Sequence, residues 1–267
     1  MNRHDVCIVI NSTPKYYYLL PFMVGMIKRY APNLVWPIYL VTEDYNNPIC
    51  IDLMIRYGVK LVKIDASKSG FLESRLAGIR ELRNFRFCLP LQDDFILEMP
   101  MLGAEIEKVL QFLSENSGVA SARLMPCPGP AGSEVALEGW AYLGKPTDTY
   151  GFVYQATLWR TDALEAWYTV ICDYLEEFAP KAKTAAKYRT FVEITQNIAE
   201  NGNGQAIFWE WSANNGLKHI AWVRKGTWPN AVYLSPFPYR PTAVVKGFLE
   251  KWAVELAKRE GFPLEAP

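Results

Sequence analysis

The sequence predicts an α/β fold with a mostly parallel central sheet and helices on both faces. Three observations carry that expectation. Strand and helix signals alternate over the first hundred residues. The runs at 6–10 and 38–41 are continuously apolar, as befits strands covered on both faces. Strand-like runs also end at once in short polar clusters: Asn11-Ser12-Thr13, Thr42-Glu43-Asp44 and Gln92-Asp93-Asp94. Open parallel sheets bind ligands beyond the carboxyl ends of their strands. The three clusters therefore fall where a site belongs.

Each element follows from its residues. Residues 6–10 are apolar and largely β-branched, and Pro14 closes the turn after them. Residues 16–30 have helical length, with Pro21 expected in the first turn or at a kink. The second strand, 38–41, leads to a helix over 48–57 closed by Gly58. Residues 60–64 alternate as a third strand. Phe71, Leu72, Leu76, Ile79 and Leu82 form a helical stripe, with Arg75, Arg80 and Arg83 off it. Residues 85–91 form the fourth strand. Beyond it the sequence predicts helices over 100–116, 161–178, 187–200 and 243–260, and strands over 119–124, 152–160 and 220–223. Residues 126–148, rich in Pro and Gly, are expected to be a functional loop or disordered. Residues 1–267 read as one domain, without an internal repeat.

Composition narrows the function classes. The chain has 28 basic and 28 acidic residues, so phosphate-dominated nucleic-acid binding is disfavoured. Nine Trp and fifteen Tyr hint at surfaces that stack on rings or sugars. The five cysteines contain no C-x-x-C pair, against a zinc ribbon or disulfide framework. Cys7, Cys50 and Cys88 sit in apolar runs and read as small buried hydrophobes. No basic start precedes an apolar stretch and no run nears a membrane span, so the expected location is the cytoplasm.

The sharpest chemical feature is Gln92-Asp93-Asp94. Two adjacent carboxylates after a buried strand repel each other, and a divalent cation such as Mg²⁺ or Mn²⁺ gives them a reason. The plainer alternative is that one of them caps a turn. Glu43 suits hydrogen bonds from a ribose or base, or simply a solvated turn. Asn11, Ser12 and Thr13 suit a nucleotide or an ordinary turn. Arg75 either meets a phosphate or solvates its helix. His219 is a metal ligand, a phosphate contact or a surface residue. There is no G-x-x-x-x-G-K-[ST], and Gly202-x-Gly204 lies in a polar turn, so P-loop and dinucleotide fingerprints are absent.

From Asp5-Val6-Cys7-Ile8-Val9-Ile10-Asn11-Ser12-Thr13, through Val41-Thr42-Glu43-Asp44, to Phe87-Cys88-Leu89-Pro90-Leu91-Gln92-Asp93-Asp94-Phe95, the chain resembles a GT-A-fold glycosyltransferase. Gln92-Asp93-Asp94 matches its Asp-x-Asp-type element, with Gln92 standing where many members carry an acid. Looser likeness continues through Tyr154–Arg160, Phe191-Val192-Glu193 and 223–228. The resemblance implies a GT-A-like (Rossmann-like) sheet, a nucleoside-diphosphate sugar donor with UDP favoured, and Mn²⁺ or Mg²⁺. It places Asp94 on the metal, with His219 the other candidate ligand. Gln92 and Asp93 then lie near the ribose or metal waters, and Asn11, Ser12, Thr13, Glu43 and Arg75 on the donor side. Lys225 falls near the diphosphate, and the resemblance divides the single domain into a nucleotide-sugar-binding half over 1–100 and an acceptor-side half over 101–267.

In inverting members the base often opens a helix on the acceptor side, and Glu193 occupies the matching place, unless it is only a solvated helix carboxylate. Asp162 reads instead as part of a capping box with Glu165. Trp140, Trp209, Trp211 and Trp228 are candidate sugar platforms.

The expected activity is therefore divalent-dependent, inverting glycosyl transfer to a hydroxyl of a glycan or other acceptor. A nucleic-acid acceptor stays open but is not favoured. The alternatives are a non-catalytic nucleotide-sugar or carbohydrate-binding protein and, third, a nucleotidyltransferase. The last expects a Gly-rich phosphate loop after the first strand, and residues 11–15 supply Lys15 but no glycine.

Overall fold

The computed structural model describes residues 5–65, 70–126, 129–130, 134–144, 148, 150–182, 203–223, 225–227, 230–245, 247–262 and 264. Its strands are β1 (Val6–Asn11), β2 (Ile38–Thr42), β3 (Lys60–Lys63), β4 (Phe87–Gln92), β5 (Ile96–Leu97), β6 (Val119–Arg123), β7 (Val135–Leu137), β8 (Trp140–Leu143), β9 (Thr157–Arg160) and β10 (Lys218–Trp222). A nine-stranded sheet runs in the order β3-β2-β1-β4-β9-β6-β10-β8-β7. Only β9 and β8 run against their neighbours in it. The fold is the mixed α/β, mostly parallel sheet that the sequence predicts.

Side chains of β1 alternate between two cores, as a pleated strand requires. Val6, Ile8 and Ile10 face α1 (Leu20–Tyr30), α2 (Pro48–Tyr57) and α4 (Gly103–Glu115). Cys7 and Val9 face α3 (Phe71–Glu81), α5 (Thr161–Ala182) and the helix Asn203–Asn214. Cys7, Cys50 and Cys88 are buried, as their apolar settings predict.

Local chemistry sets the helix ends near the site. Pro21 lies in the first turn of α1, where its missing N–H costs nothing. Asn47 caps α2 by accepting the Ile49 N–H at 3.1 Å, and Gly58 ends it at φ 65°. Gly78 brings α3 so close to β2 that a Cβ there would stand 2.5 Å from Val41 Cγ2. That approach carries Arg75 to the carboxyl ends of the strands.

Several expectations need correction. Residues 126–148 contain the β7–β8 hairpin, which extends the sheet through the β8–β10 pairing. Strand β9 covers only the end of 152–160. The terminal helix is Lys251–Glu260, and residues before it form a two-stranded hairpin, β12 (Val244–Val245) and β13 (Phe248–Leu249). The helix Asn203–Asn214 carries no clear helical signal in the sequence, because Phe208, Trp211 and Ser212 are all buried and its polar face is poorly marked. The expected helix over 187–200 lies outside the described residues.

The capping box at the start of α5 is not formed. Glu165 turns away to Arg83, 2.6 Å from its Nε, and to Arg80 at 3.5 Å. Asp162 accepts the N–H of Ala163 at 2.8 Å, which keeps it a structural residue of the helix start.

Candidate functional site

The registers of the sheet bring three polar clusters to one edge. Asn11 of β1 lies opposite Val41 of β2 on one side and Gln92 of β4 on the other, with all three strands parallel. Thr13, Glu43 and Asp94 therefore all follow strands that end on the same edge. Thr13 is exposed and precedes a 3-10 turn over Pro14–Leu19, and Glu43 is half-buried. Neighbouring Asp44 is engaged in the cap of α2, accepting from Asn47 Nδ2 at 3.2 Å.

The turn after β4 is closed by Phe95 N–H donating to the Gln92 carbonyl at 3.2 Å. Ser12 Oγ donates to Asp93 Oδ2 at 2.6 Å and ties the β1 turn to the β4 turn. Burial pushes the Asp93 carboxyl up to about 7, and the Asp94 charge adds to that. The Ser12 hydrogen bond and the Arg75 charge pull it back. Asp94 is pushed up to about 6, again chiefly by burial, against its own N–H, the Val244 N–H and the Arg75 charge. The pair is thus an anionic centre held partly desolvated.

Arg75 is buried, so it does not solvate its helix, and its charge acts on both acids. Its Nη1 donates to the Phe71 carbonyl at 2.7 Å, and the guanidinium lies over the Phe71 ring at 3.6 Å. Beside it a narrow pocket is lined by Asn11, Arg75, Gln92, Phe152, Tyr154 and Tyr168. Asn11 Oδ1 is buried there with no hydrogen-bond partner, an acceptor that suits a donor from a ligand or water.

Asn11, Ser12, Arg75, Gln92, Asp93 and Asp94 thus come together. Lys225 does not join them. It is exposed beyond β10 on the same edge, with its Nζ 4.5 Å from the Trp222 ring centroid. β10 stands three strand spacings from β4, about 14 Å at the usual separation. Glu193 and Trp228 lie outside the described residues.

His219 as a metal ligand is corrected. It is fully buried in β10, with Ser121 Oγ 2.8 Å from Nδ1 and Ser212 Oγ 3.0 Å from Nε2. Phe208 and Trp159 pack on its ring. Burial, with the Arg123 charge, lowers its pKa to about 3, so the ring stays neutral and structural. His219→Ala should cost about 2–4 kcal/mol of stability by denaturant unfolding, yet leave divalent affinity unchanged. Loss of metal affinity at constant stability would restore it as a ligand. Trp140 and Trp211 are corrected likewise: both are packed in the core and offer no face to a sugar.

Four residues that sequence reasoning missed, Arg123, Gln205, Gly151 and Tyr239, hold the segment that lines the pocket. Arg123, buried at the end of β6, donates to the carbonyls of Tyr150 and Gly151 at 2.6 and 3.1 Å. Gln205 accepts the Gly151 N–H at 2.8 Å and donates to the Phe152 carbonyl at 2.6 Å. Gly151 is required there, since a Cβ would meet the Phe208 ring at 2.6 Å. Tyr239 Oη accepts the Ala156 N–H at 3.0 Å and its ring stacks on Phe95. A charged residue closing a strand was the one available signal, at Arg123.

The acid pair makes a pH prediction. With Asp93 near 7 in the fold and near 3.8 when unfolded, the folded chain binds more protons between those values. Stability therefore falls as pH rises from about 4 to about 7. Asp93→Asn should raise the melting temperature at pH 8 by several degrees, at roughly 2–4 °C per kcal/mol, and barely change it at pH 4. An equal shift at both values would show that Asp93 ionises normally.

No protein-family model and no curated protein sequence matches the chain. Among solved structures it is similar to a cytidylyltransferase from Leptospira borgpetersenii serovar Hardjo-bovis. The identity is 10% over 96% of this chain and 95% of that one, with a TM-score of 0.48. It is also similar to 4-diphosphocytidyl-2C-methyl-D-erythritol synthase from Anaerococcus prevotii, at 10% identity, 88% and 98% coverage and a TM-score of 0.44. S. aureus TarS 1–349 in complex with UDP is similar at 11% identity and a TM-score of 0.43, over 60% of this chain and 48% of that one. The chain thus spans about half the length of that TarS structure. At these scores the likenesses assign neither activity nor substrate. Among the described residues, no helix is long and apolar enough to cross a membrane.

Proposed function

We propose that the chain transfers a glycosyl group from a nucleoside-diphosphate sugar, with UDP favoured, to an acceptor hydroxyl. The observation that carries this reading is the acid pair at the carboxyl end of β4. Its two carboxyls are partly desolvated, tied to the β1 turn through Ser12, and opposed by one guanidinium. Two half-buried, adjacent carboxylates beside an arginine favour a further cation.

The donor chemistry fits Mg²⁺ or Mn²⁺. Among the described residues no group of three or more His, Cys, Asp or Glu side chains is placed to hold a metal. Zinc wants such a set. Mg²⁺ and Mn²⁺ are content with one or two carboxylates, taking the rest of their shell from water and substrate phosphates. Asp94 would hold the ion, and Asp93 would sit beside it. When bound, the cation supplies Lewis-acid stabilisation of the leaving diphosphate.

The chain's own residues do the remainder. Asn11, Ser12 and Thr13 face the nucleotide, Glu43 accepts from its ribose or base, and Gln92 lies toward the ribose. Lys225 reaches the diphosphate only if the donor extends along the sheet edge. The bond from the anomeric carbon to the diphosphate oxygen breaks, with its electron pair leaving on the diphosphate. The acceptor oxygen attacks the anomeric carbon from the face opposite the leaving diphosphate, which inverts that centre, and its proton passes to Glu193.

A panel of nucleotide sugars with Mn²⁺ tests this. One donor should raise the melting temperature only when the cation is present, since a ligand of the folded state alone stabilises it. The same donor should then yield a transferred or hydrolysed sugar. Binding without turnover would leave a nucleotide-sugar-binding protein.

The second reading, nucleotidyl transfer, is favoured by Lys15. It stands just after β1, and a Cβ on Gly247 would be 3.8 Å from its Nζ. Pyrophosphate release from a nucleoside triphosphate and a sugar phosphate would decide for that reading.

A further inference from the structure

We propose that Gln155 binds the hexosyl group of the donor through its side-chain N–H groups, and that Tyr239 is the positioning residue that turns them toward it. This contact rests on the donor-site reading and adds the sugar itself to what the site recognises.

Three carboxamides stand in a row along the edge where the acid pair lies. Strands β1, β4 and β9 are neighbours in that order. Asn11 ends β1 in register with Gln92 at the end of β4. β9 runs antiparallel to β4, so Gln155, two residues before β9 begins, comes to the same edge. All three line one pocket. A carboxamide is uncharged and carries both an acceptor and donors, which suits sugar hydroxyls, since each of those also gives and takes a hydrogen bond. The row therefore fits the neutral part of the donor, beside acids that fit a cation on its diphosphate.

Of the three, Gln155 has its amide locked by a neighbour. Tyr239 of β11 (Tyr239–Arg240) donates its O–H to Gln155 Oε1 and accepts the Ala156 N–H at 3.0 Å. A phenol has one proton to give, and here it goes to Gln155. A flip of the amide would take that acceptor from a fully buried hydroxyl, which costs stability. The Nε2 group is thus turned away from Tyr239, and among the described residues none accepts a hydrogen bond from it. Gln155 is half-buried, so these donors stay within reach of a ligand in the pocket.

The lock is itself held on both sides. The Tyr239 ring stacks on Phe95 with centroids 4.7 Å apart, and β11 pairs antiparallel with β5, placing Tyr239 opposite Leu97. On the Gln155 side, Thr157 Oγ1 donates to the Gln155 carbonyl at 2.8 Å, and the Leu124 N–H donates to the Ala156 carbonyl at 2.9 Å. Phe95 follows Asp94 directly in the chain. One tyrosine therefore fixes the turn of the acid pair and the amide of Gln155 relative to each other.

Calorimetric titration of the full chain with UDP, UDP-glucose and UDP-galactose, each with Mn²⁺, tests both residues. Gln155→Met keeps the size of the side chain and removes its N–H groups. It should weaken the UDP-hexose by roughly 3–10-fold and leave UDP unchanged. Tyr239→Phe frees the amide and should weaken the same UDP-hexose by a similar factor. Introduced into Gln155→Met, it should cost no further hexose affinity, although it lowers the melting temperature in both backgrounds. By NMR, the Gln155 side-chain NH₂ should show the heteronuclear NOE of a rigid group in the wild type and lose it in Tyr239→Phe.

Equal losses for UDP and the UDP-hexose in Gln155→Met, or no loss for either, would overturn the sugar contact. So would a wild-type protein that binds UDP but neither hexose donor. An undiminished effect of Tyr239→Phe in the Gln155→Met background would overturn the positioning role. A wild-type protein that binds neither UDP nor a UDP-hexose would sink the donor-site reading and the sugar contact with it, and the NOE would still decide whether Tyr239 holds Gln155.

Discussion

Asp94→Ala abolishes divalent-dependent nucleotide binding and leaves the fold intact. The expected loss in Mn²⁺-dependent affinity is at least roughly 100-fold, since a ligand matters no less than the outer-shell partners that cost 10–100-fold. Stability should hold, because the carboxyl is already disfavoured as an anion by burial and its removal ends the repulsion with Asp93. Calorimetric titration of a nucleoside diphosphate, with Mn²⁺ and with chelator, separates the two effects. Binding that is equally metal-dependent in the variant would refute the role of Asp94. The wild-type affinity should also rise with pH through about 6 to 7, because a carboxylate must lose its proton to bind a cation.

The second large effect is expected at Glu193. Glu193→Gln keeps the shape and loses the basicity, so donor and metal affinity should stay near wild type while transfer slows by roughly 10²–10⁴-fold. A single-turnover assay with saturating donor reads the step directly. Wild-type rates in that variant would make Glu193 a solvated helix residue. A product of retained anomeric configuration would remove the need for such a base altogether.

The parts of the site that were legible are those written in contiguous residues. A run such as Val-Cys-Ile-Val-Ile followed by Asn11-Ser12-Thr13 announces a buried strand and its polar end within a dozen positions. The same is true of Leu91 and Gln92-Asp93-Asp94. Since parallel strands ending in a sheet share an edge, the meeting of the β1 and β4 turns followed from pattern and topology together. His219 shows the opposite case. A histidine after Lys218 looks like a surface or ligand residue, and nothing nearby announces that Ser121 and Ser212 will bracket its ring. Arg75, by its place off the helical stripe, suits either a phosphate contact or a solvated side chain. Its burial came from Gly78, whose missing side chain lets the helix sink onto β2.

By itself the sequence determined the alternation of strands and helices in the first hundred residues, and with it the edge on which a ligand site belongs. Those features rest on local periodicity, turn residues and the intolerance of strands for paired acids. Only the tertiary structure decided how the acid pair is held. The Ser12 bond to Asp93 spans two strands, and the N–H of Ala243 reaches the Asp94 carbonyl from far along the chain. Such contacts depend on which faces meet once the cores on both sides of the sheet are packed. A residue's neighbours in sequence carry no record of that meeting, so the partners of Asp94, Arg75 and His219 had to await the fold.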